Sequence, residues 1–348
     1  MKNLKNDRIL IIQTAFLGDV VLTIPLIMAL RRTLPKSHLA VLVTPQVKEI
    51  LSDNPAIDEI IIFDKKDKER SWGALGHLVR KVKARHFDVA ILPHRSFKSS
   101  LLAFLAQIPV RIGFNKSEGN VLLTRKVSYR RGPHIHEIDR NLDLLSPLGI
   151  QDRQVEFYLN PGRPAINYTL GMLGKFQIYA TDLVIGLNPG SVWPTKRYPA
   201  EKFAAVADRL IKELNAKIII IGGAADKEAA ARVTAGMNES VINLAGQTTL
   251  KQLTALTKRL NLLITNDSGA MHIAVAQQVP VVAIFGPTTA DLGFYPYGEQ
   301  DIVVEKDLPC RPCGKHGGNR CSKNNFACMK LITVSDVFNA VKKRLNIK

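Results

Sequence analysis

Long apolar runs are missing from this chain of 348 residues. The longest mainly apolar stretch, 20–30, contains Pro25 and falls well short of the ~20 residues that a membrane span needs. The apolar segment 9–12 is too short for the hydrophobic part of a secretory leader, and Gly18 and Asp19 soon follow. A soluble cytoplasmic protein, with any membrane contact peripheral, is the expectation. No G-x-G-x-x-G and no G-x-x-x-x-G-K-[ST] sequence occurs, so neither a dinucleotide fingerprint nor a Walker-type phosphate loop is supported.

Cysteine is scarce as well. The four cysteines, Cys310, Cys313, Cys321 and Cys328, lie in one C-x2-C-x7-C-x6-C segment. A disulfide framework does not suit a large chain of the expected cytosolic kind. Four clustered cysteines can hold zinc or an iron–sulfur cluster, a possible structural metal at this loop. The second pair lacks the tight spacing of a zinc ribbon, and reduced thiols that pin a loop by packing are the favoured reading.

Acidic residues are the third shortage. Against 48 Lys and Arg stand 30 Asp and Glu, a formal net charge of +18. That excess suggests an anionic partner: nucleic acid, a phosphorylated substrate or an acidic membrane surface. Apolar residues at 46% exclude a disordered chain, and the length suits two domains of ordinary size.

Short β-rich runs alternate with segments of helical apolar spacing. In the first half, strands are expected at 8–13, 38–44, 59–63, 88–93 and 110–114. Helices are expected at 19–33, 46–52, 70–85 and 98–107. The stretch 160–168, with Pro and Gly, reads as a linker, followed by a helix at 166–179. The alternation resumes with strands at 183–190, 217–223, 241–246, 260–267 and 279–287. Its helices fall at 200–215, 226–236, 249–259, 269–277 and 334–346. Such alternation implies an α/β protein of two Rossmann-like domains with mostly parallel sheets facing a cleft. The expected organisation is a first Rossmann-like domain over 1–165, a linker and helix over 166–182, and a second Rossmann-like domain over 183–330 that carries the cysteine loop 310–328. A terminal helix over 331–348 is expected to pack back on the first domain.

Polar loops follow the strands of the second half, where open α/β sheets bind ligands. Asn266, Asp267, Ser268 and Gly269 open a helix whose free N–H groups and positive dipole end suit a pyrophosphate, with His272 one turn in. An Asp or Ser at that place also simply caps a helix. The loop 188–199 brings Ser191, Thr195, Lys196 and Arg197, donors and cations fit to neutralise a leaving diphosphate. Asp226 and Glu228, after Gly222 and Gly223, can accept from sugar hydroxyls, or can be ordinary acids of a helix first turn. In the first half Asp19 follows the first strand and Gly18; it reads as a cap or as a general base for a hydroxyl nucleophile.

Taken in order, these segments resemble the ADP-heptose:lipopolysaccharide heptosyltransferases, inverting glycosyltransferases of the GT-B fold. The carriers are Gly18, Asp19 and Pro25, the stretch 188–199, 243–250, and Asn266 to His272 followed by 285–288. Within the family, 91–114 is most similar to the branch that adds the second core heptose. The branches adding the first or later heptoses, and GT-B enzymes with another donor or acceptor, are the alternatives. The resemblance implies that Asp19 is the catalytic base and that Lys196 stabilises the donor diphosphate. It puts Ser191 near the phosphates, Asp267, Ser268, Gly269 and His272 in the donor loop, and Thr248 near the adenosine. It implies a lipid A–Kdo–heptose acceptor, and no required cofactor, in keeping with the lack of an Asp-x-Asp element.

Between 95 and 131, eight cations face Glu118 alone, and 65–85 adds eight more against Asp67 and Glu69. A solvated face explains such charge at its simplest. The alternative is a groove, with Gly18, Arg95, Lys98, Arg125, Arg130, His136 and Arg140, that binds an anionic acceptor beside the anionic inner membrane. A nucleic-acid-binding protein is the rival from charge alone. No helix-turn-helix, RNP or zinc-finger signature supports it, and no nucleic-acid partner is expected.

Overall fold

The computed structural model describes residues 7–64 and 72–347. The cations between Lys65 and Arg70 lie outside the described residues, as does the start of the helix expected from 70. The chain divides into two compact units, residues 7–131 with 137–160, and residues 132–136 with 161–347.

The first unit holds β1 (Arg8–Ile12), β2 (His38–Val43), β3 (Glu59–Ile62), β4 (Val89–Leu92), β5 (Val110–Phe114) and β6 (Arg125–Val127) in the order β3-β2-β1-β4-β5-β6. The second holds β7 (Val184–Asn188), β8 (Lys217–Ile220), β9 (Ile242–Asn243), β10 (Leu262–Asn266), β11 (Val281–Ile284) and β12 (Ile302–Val304) in the order β12-β11-β10-β7-β8-β9. These two orders are the same path repeated, and the strand pairings are parallel. The central strands are apolar along their whole length because helices cover both faces, which leaves no polar side to alternate toward. Ile9 to Ile12 and Leu262 to Ile264 are fully buried. Two Rossmann-like α/β units are the GT-B architecture expected from the sequence.

Strand order reverses between β1 and β4 and again between β7 and β10. At such switch points the flanking connections leave in opposite directions and open a crevice at the carboxyl ends of the strands. Those four ends carry the loops with Asp19, Arg95, Lys196 and Asp267.

Several elements depart from the expectations. The expected strand at 241–246 shrinks to β9, because the chain turns away at Gly246, whose φ is +68°. The short edge strands β6 and β12 carry too little periodicity to be seen; two of the three residues of β6 are cations, a common guard of an edge. The expected linker is largely helix, Gly162–Lys175, since Pro164 falls in the first turn where its missing N–H costs no bond. The terminal helix Val334–Arg344 buries Val337, Phe338 and Val341 in the second unit's own core, with the Arg209 guanidinium 3.9 Å from the Phe338 ring centroid. That is where the helix expected to return to the first domain goes.

Candidate active site

In the first unit, β1 runs out into Gln13 and Thr14, and a short helix, Leu17–Val21, presents Asp19. Its backbone is fixed: the Thr23 hydroxyl donates to the Asp19 carbonyl at 2.7 Å, and Gln13 Nε2 donates to Thr23 Oγ1 at 2.9 Å. The Asp19 carboxyl is pushed up to about 7, chiefly by desolvation and then by the negative charge of Glu137; backbone N–H groups and Arg95 oppose the rise. A carboxylate with that affinity for protons near neutral pH suits a general base.

The charges acting on it come from a cluster in which Arg95 and Arg140, named from the sequence, join Glu137 and Tyr129, which the sequence did not single out. Glu137, itself raised by burial, accepts from Arg140 at 2.8 Å and from the Tyr129 hydroxyl at 3.2 Å. The Tyr129 ring lies under two guanidinium groups, Arg95 at 4.0 Å and Arg140 at 4.9 Å from its centroid. Arg95 therefore stands half-buried near Asp19, whereas Arg140 is buried in a structural ion pair. Lys98, Arg125 and Arg130 are exposed, and Arg130 pairs with Asp143 at 2.7 Å. His136 is fully buried in the second unit, where its Nε2 is 2.8 Å from the Tyr295 carbonyl oxygen and its ring meets Tyr295 and Tyr297.

In the second unit the loops after β7 and β10 meet. Lys196 Nζ lies 2.5 Å from Asp267 Oδ2, and the Thr288 hydroxyl donates to the same oxygen at 2.8 Å. All three residues are buried. Removing one partner of such a pair strands a charge away from water, at about 3–5 kcal/mol. Asn266 ties the loops together: its Nδ2 donates to the carbonyls of Pro189 and Gly190, and its Oδ1 accepts from the Tyr198 N–H. Ser191 donates toward the Asp267 carbonyl at 3.4 Å.

The helix Gly269–Ala276 starts here. Ser268 sits at its N-cap yet gives no side-chain bond to the first turn; its hydroxyl pairs with Thr265 Oγ1 at 3.2 Å. Asp267 is engaged with Lys196 and Thr288. Neither side chain caps the helix, so its N–H groups are left for an anion. His272 is buried, and burial together with His136 and Lys196 pushes it down to about 3; it is a neutral imidazole at physiological pH. Asp226 accepts from the Gly223 N–H at 2.8 Å and abuts Gly190. Glu228 pairs with Arg232 at the surface, the ordinary helix-acid role. Thr248 is half-buried after β9.

Sequence reasoning quoted the stretch 285–288 without naming Thr288 as a site residue, and missed Arg311. The Arg311 side chain, 4% exposed, donates to the Thr288 carbonyl at 2.6 Å, to the Gly286 carbonyl, and to Glu305. Thr195 Oγ1 donates to the Gly318 carbonyl and accepts from the Gly318 N–H, both at 2.8 Å. The cysteine loop is thereby strapped to the Lys196 loop at one point and to Thr288 at the other. The four cysteines are free thiols, and among the described residues no group of three or more His, Cys, Asp or Glu is arranged to hold a metal. Burial and neighbouring thiols push Cys313 and Cys328 up, while backbone N–H groups of residues 323–326 lower Cys321.

A parallel two-unit fold with an acid after β1 and a lysine–aspartate pair after β7 and β10 defines a glycosyltransferase of GT-B type, and residues 75–322 match glycosyltransferase family 9 (heptosyltransferase). The chain belongs to this family. It is 28% identical to lipopolysaccharide heptosyltransferase 2 of Salmonella typhimurium over 82% of this chain and 84% of that one. Among solved structures, a family 9 glycosyl transferase from Veillonella parvula superposes with a TM-score of 0.88 at 30% identity, covering 99% of both chains. The E. coli ADP-heptose LPS heptosyltransferase II gives 0.77 at 25% identity, covering 97% of this chain and 98% of that one.

Proposed function

We propose that this enzyme transfers heptose from ADP-heptose, with inversion, to the inner-core heptose of a lipid A–Kdo–heptose acceptor, as heptosyltransferase II does. Asp19 takes the proton from the attacking acceptor hydroxyl. Lys196 and the uncapped helix start at Ser268–Gly269 receive the negative charge that develops on the departing diphosphate. Asp267 and Thr288 hold the lysine head until the donor competes for it, and the neutral His272 adds hydrogen-bonding capacity without charge. Ser191 and Thr195 border the phosphates, Asp226 and Thr248 the nucleoside. Arg95 and the exposed Lys98, Arg125 and Arg130 supply positive charge for Kdo and phosphate groups on the acceptor. The transfer so described needs no metal or cofactor.

The observation that carries it is Asp19: a carboxyl lifted to about 7, rigidly held at a switch point, with an arginine charge beside it. The excess of cations supports work at the inner face of the cytoplasmic membrane. Among the described residues no helix is long and apolar enough to cross one.

The test is turnover of ADP-heptose with truncated lipopolysaccharide acceptors that end at Kdo, at the first heptose or at the second. Transfer should occur on the acceptor ending at the first heptose. Asp19→Ala should lower kcat by about a hundred- to ten-thousand-fold while ADP still binds. Undiminished turnover by Asp19→Ala removes it as the base, and transfer to the Kdo-terminated acceptor alone assigns the enzyme to the first-heptose step.

A further inference from the structure

The helix Phe97–Leu105 is apolar toward solvent as well as toward the core. Toward the interior it buries Ser99 and Ser100 beside Leu102 and Ala103. Toward solvent it shows Phe97, Phe104 and Leu105, which are 45%, 46% and 41% exposed, with Leu101 half-buried among them. At the helical repeat these four side chains fall within a sector of about 100°. The neighbouring turn Asn120–Leu122 adds Val121, 80% exposed, and packs so closely that a β-carbon on Gly119 would come within 2.6 Å of Ser100 Cβ. A surface helix gains nothing in water by this arrangement; an apolar stripe of this kind is explained by something that covers it.

Charge identifies the cover. Lys98 is exposed at the edge of this sector, about 20° beyond Leu105, and the Arg111 guanidinium, which donates to the Ile108 and Leu122 carbonyls, sits 5.5 Å from the Phe104 ring centroid. A second copy of this chain, docked by a two-fold axis through the stripe, would set these cations against themselves. Acidic headgroups above acyl chains match both parts, the cations at the headgroup level and the rings below it. The helix also begins two residues after Arg95, whose charge acts on Asp19. We infer that the outer face of the helix Phe97–Leu105, with Val121 and Lys98, docks on an anionic phospholipid bilayer and so delivers the Asp19 end of the first unit to an acceptor anchored there. The inference rests on the lipid-anchored acceptor proposed above.

Sedimentation with vesicles separates the outcomes. Wild-type protein should co-sediment with vesicles containing phosphatidylglycerol and much less with phosphatidylcholine alone. The double variant Phe104→Ser, Leu105→Ser should bind the anionic vesicles about tenfold or more weakly. Its melting temperature should match wild type, and a delipidated, soluble core acceptor should be turned over as fast by the variant as by wild type. An acceptor embedded in vesicles should be used about tenfold more slowly. Unchanged vesicle binding by the variant overturns the inference. So does a wild-type dimer in analytical ultracentrifugation that the substitutions abolish without vesicle binding. If wild type fails on the soluble acceptor, the proposed reaction falls, and the vesicle arms still report on the stripe.

Discussion

If Asp19 is the base proposed above, its titration sets the pH behaviour of this enzyme. An unfolded chain ionises it near 3.8 and the folded protein near 7, so between these values the unfolded state has lost a proton that the folded state keeps. Ionisation therefore favours the unfolded chain increasingly from about pH 4 to pH 7, and the penalty is constant above that. Two results should follow for Asp19→Asn. The rising limb of kcat/KM near pH 7, expected for wild type, should vanish with the activity that depends on it, as steady-state rates across pH would show. The variant should also melt above wild type by a margin that widens up to pH 7 and then holds, which calorimetry can follow. Lys196 plays a different part. With Asp267 accepting at 2.5 Å, its head is held at the loop that leads into the uncapped helix start. The pair is built from two loops more than seventy residues apart in sequence, so no local motif could reveal it.

Elements position these residues at one remove. The cysteine-bearing loop does so by backbone and side-chain bonds. Gly317, with φ +76°, lies where a β-carbon would come within 3.1 Å of Thr195 Oγ1 and 3.2 Å of Lys196 Cγ. Gly317→Ala should thus combine a left-handed backbone cost of about 1 kcal/mol with a push on Lys196. The expected outcome is a melting temperature a few degrees lower and kcat reduced about tenfold, with the acceptor KM held, read from a thermal melt and initial rates. This contact accounts for Gly317; Gly314 has open space around it and Gly318 meets only the Arg320 carbonyl. The helix Gly269–Ala276 was visible from its apolar spacing, and its anion-ready start from Asn266 to Gly269. That Ser268 leaves the first turn uncapped, however, depends on Thr265 drawing its hydroxyl away, a matter of side-chain geometry.

Across all 348 residues the +18 charge separates into roles. Arg140, Arg311 and Arg32 are consumed by structural bonds to Glu137, to Thr288 and Glu305, and to Asp152 and Glu156. Lys98 and Arg125 remain exposed on the first unit. Lys98→Gln with Arg125→Gln should raise the acceptor KM several-fold and leave donor KM unchanged, with the effect shrinking as salt is added. Steady-state kinetics at two ionic strengths checks this, and an equal change in both KM values would count against an acceptor role. The duplicated α/β architecture was legible in the residues alone, because parallel strands buried on both faces must be continuously apolar and the helices between them must be amphipathic. So was the placing of Asp19, Lys196 and Asp267 at strand ends, since open sheets put loops there. Which groups touch was settled only on folding. Burial near Glu137 raised the proton affinity of Asp19, Lys196 became tied to Asp267 and Thr288, and Phe97, Phe104 and Leu105 came to face solvent. Each depends on desolvation and on contacts between segments distant in the chain, which local spacing does not encode.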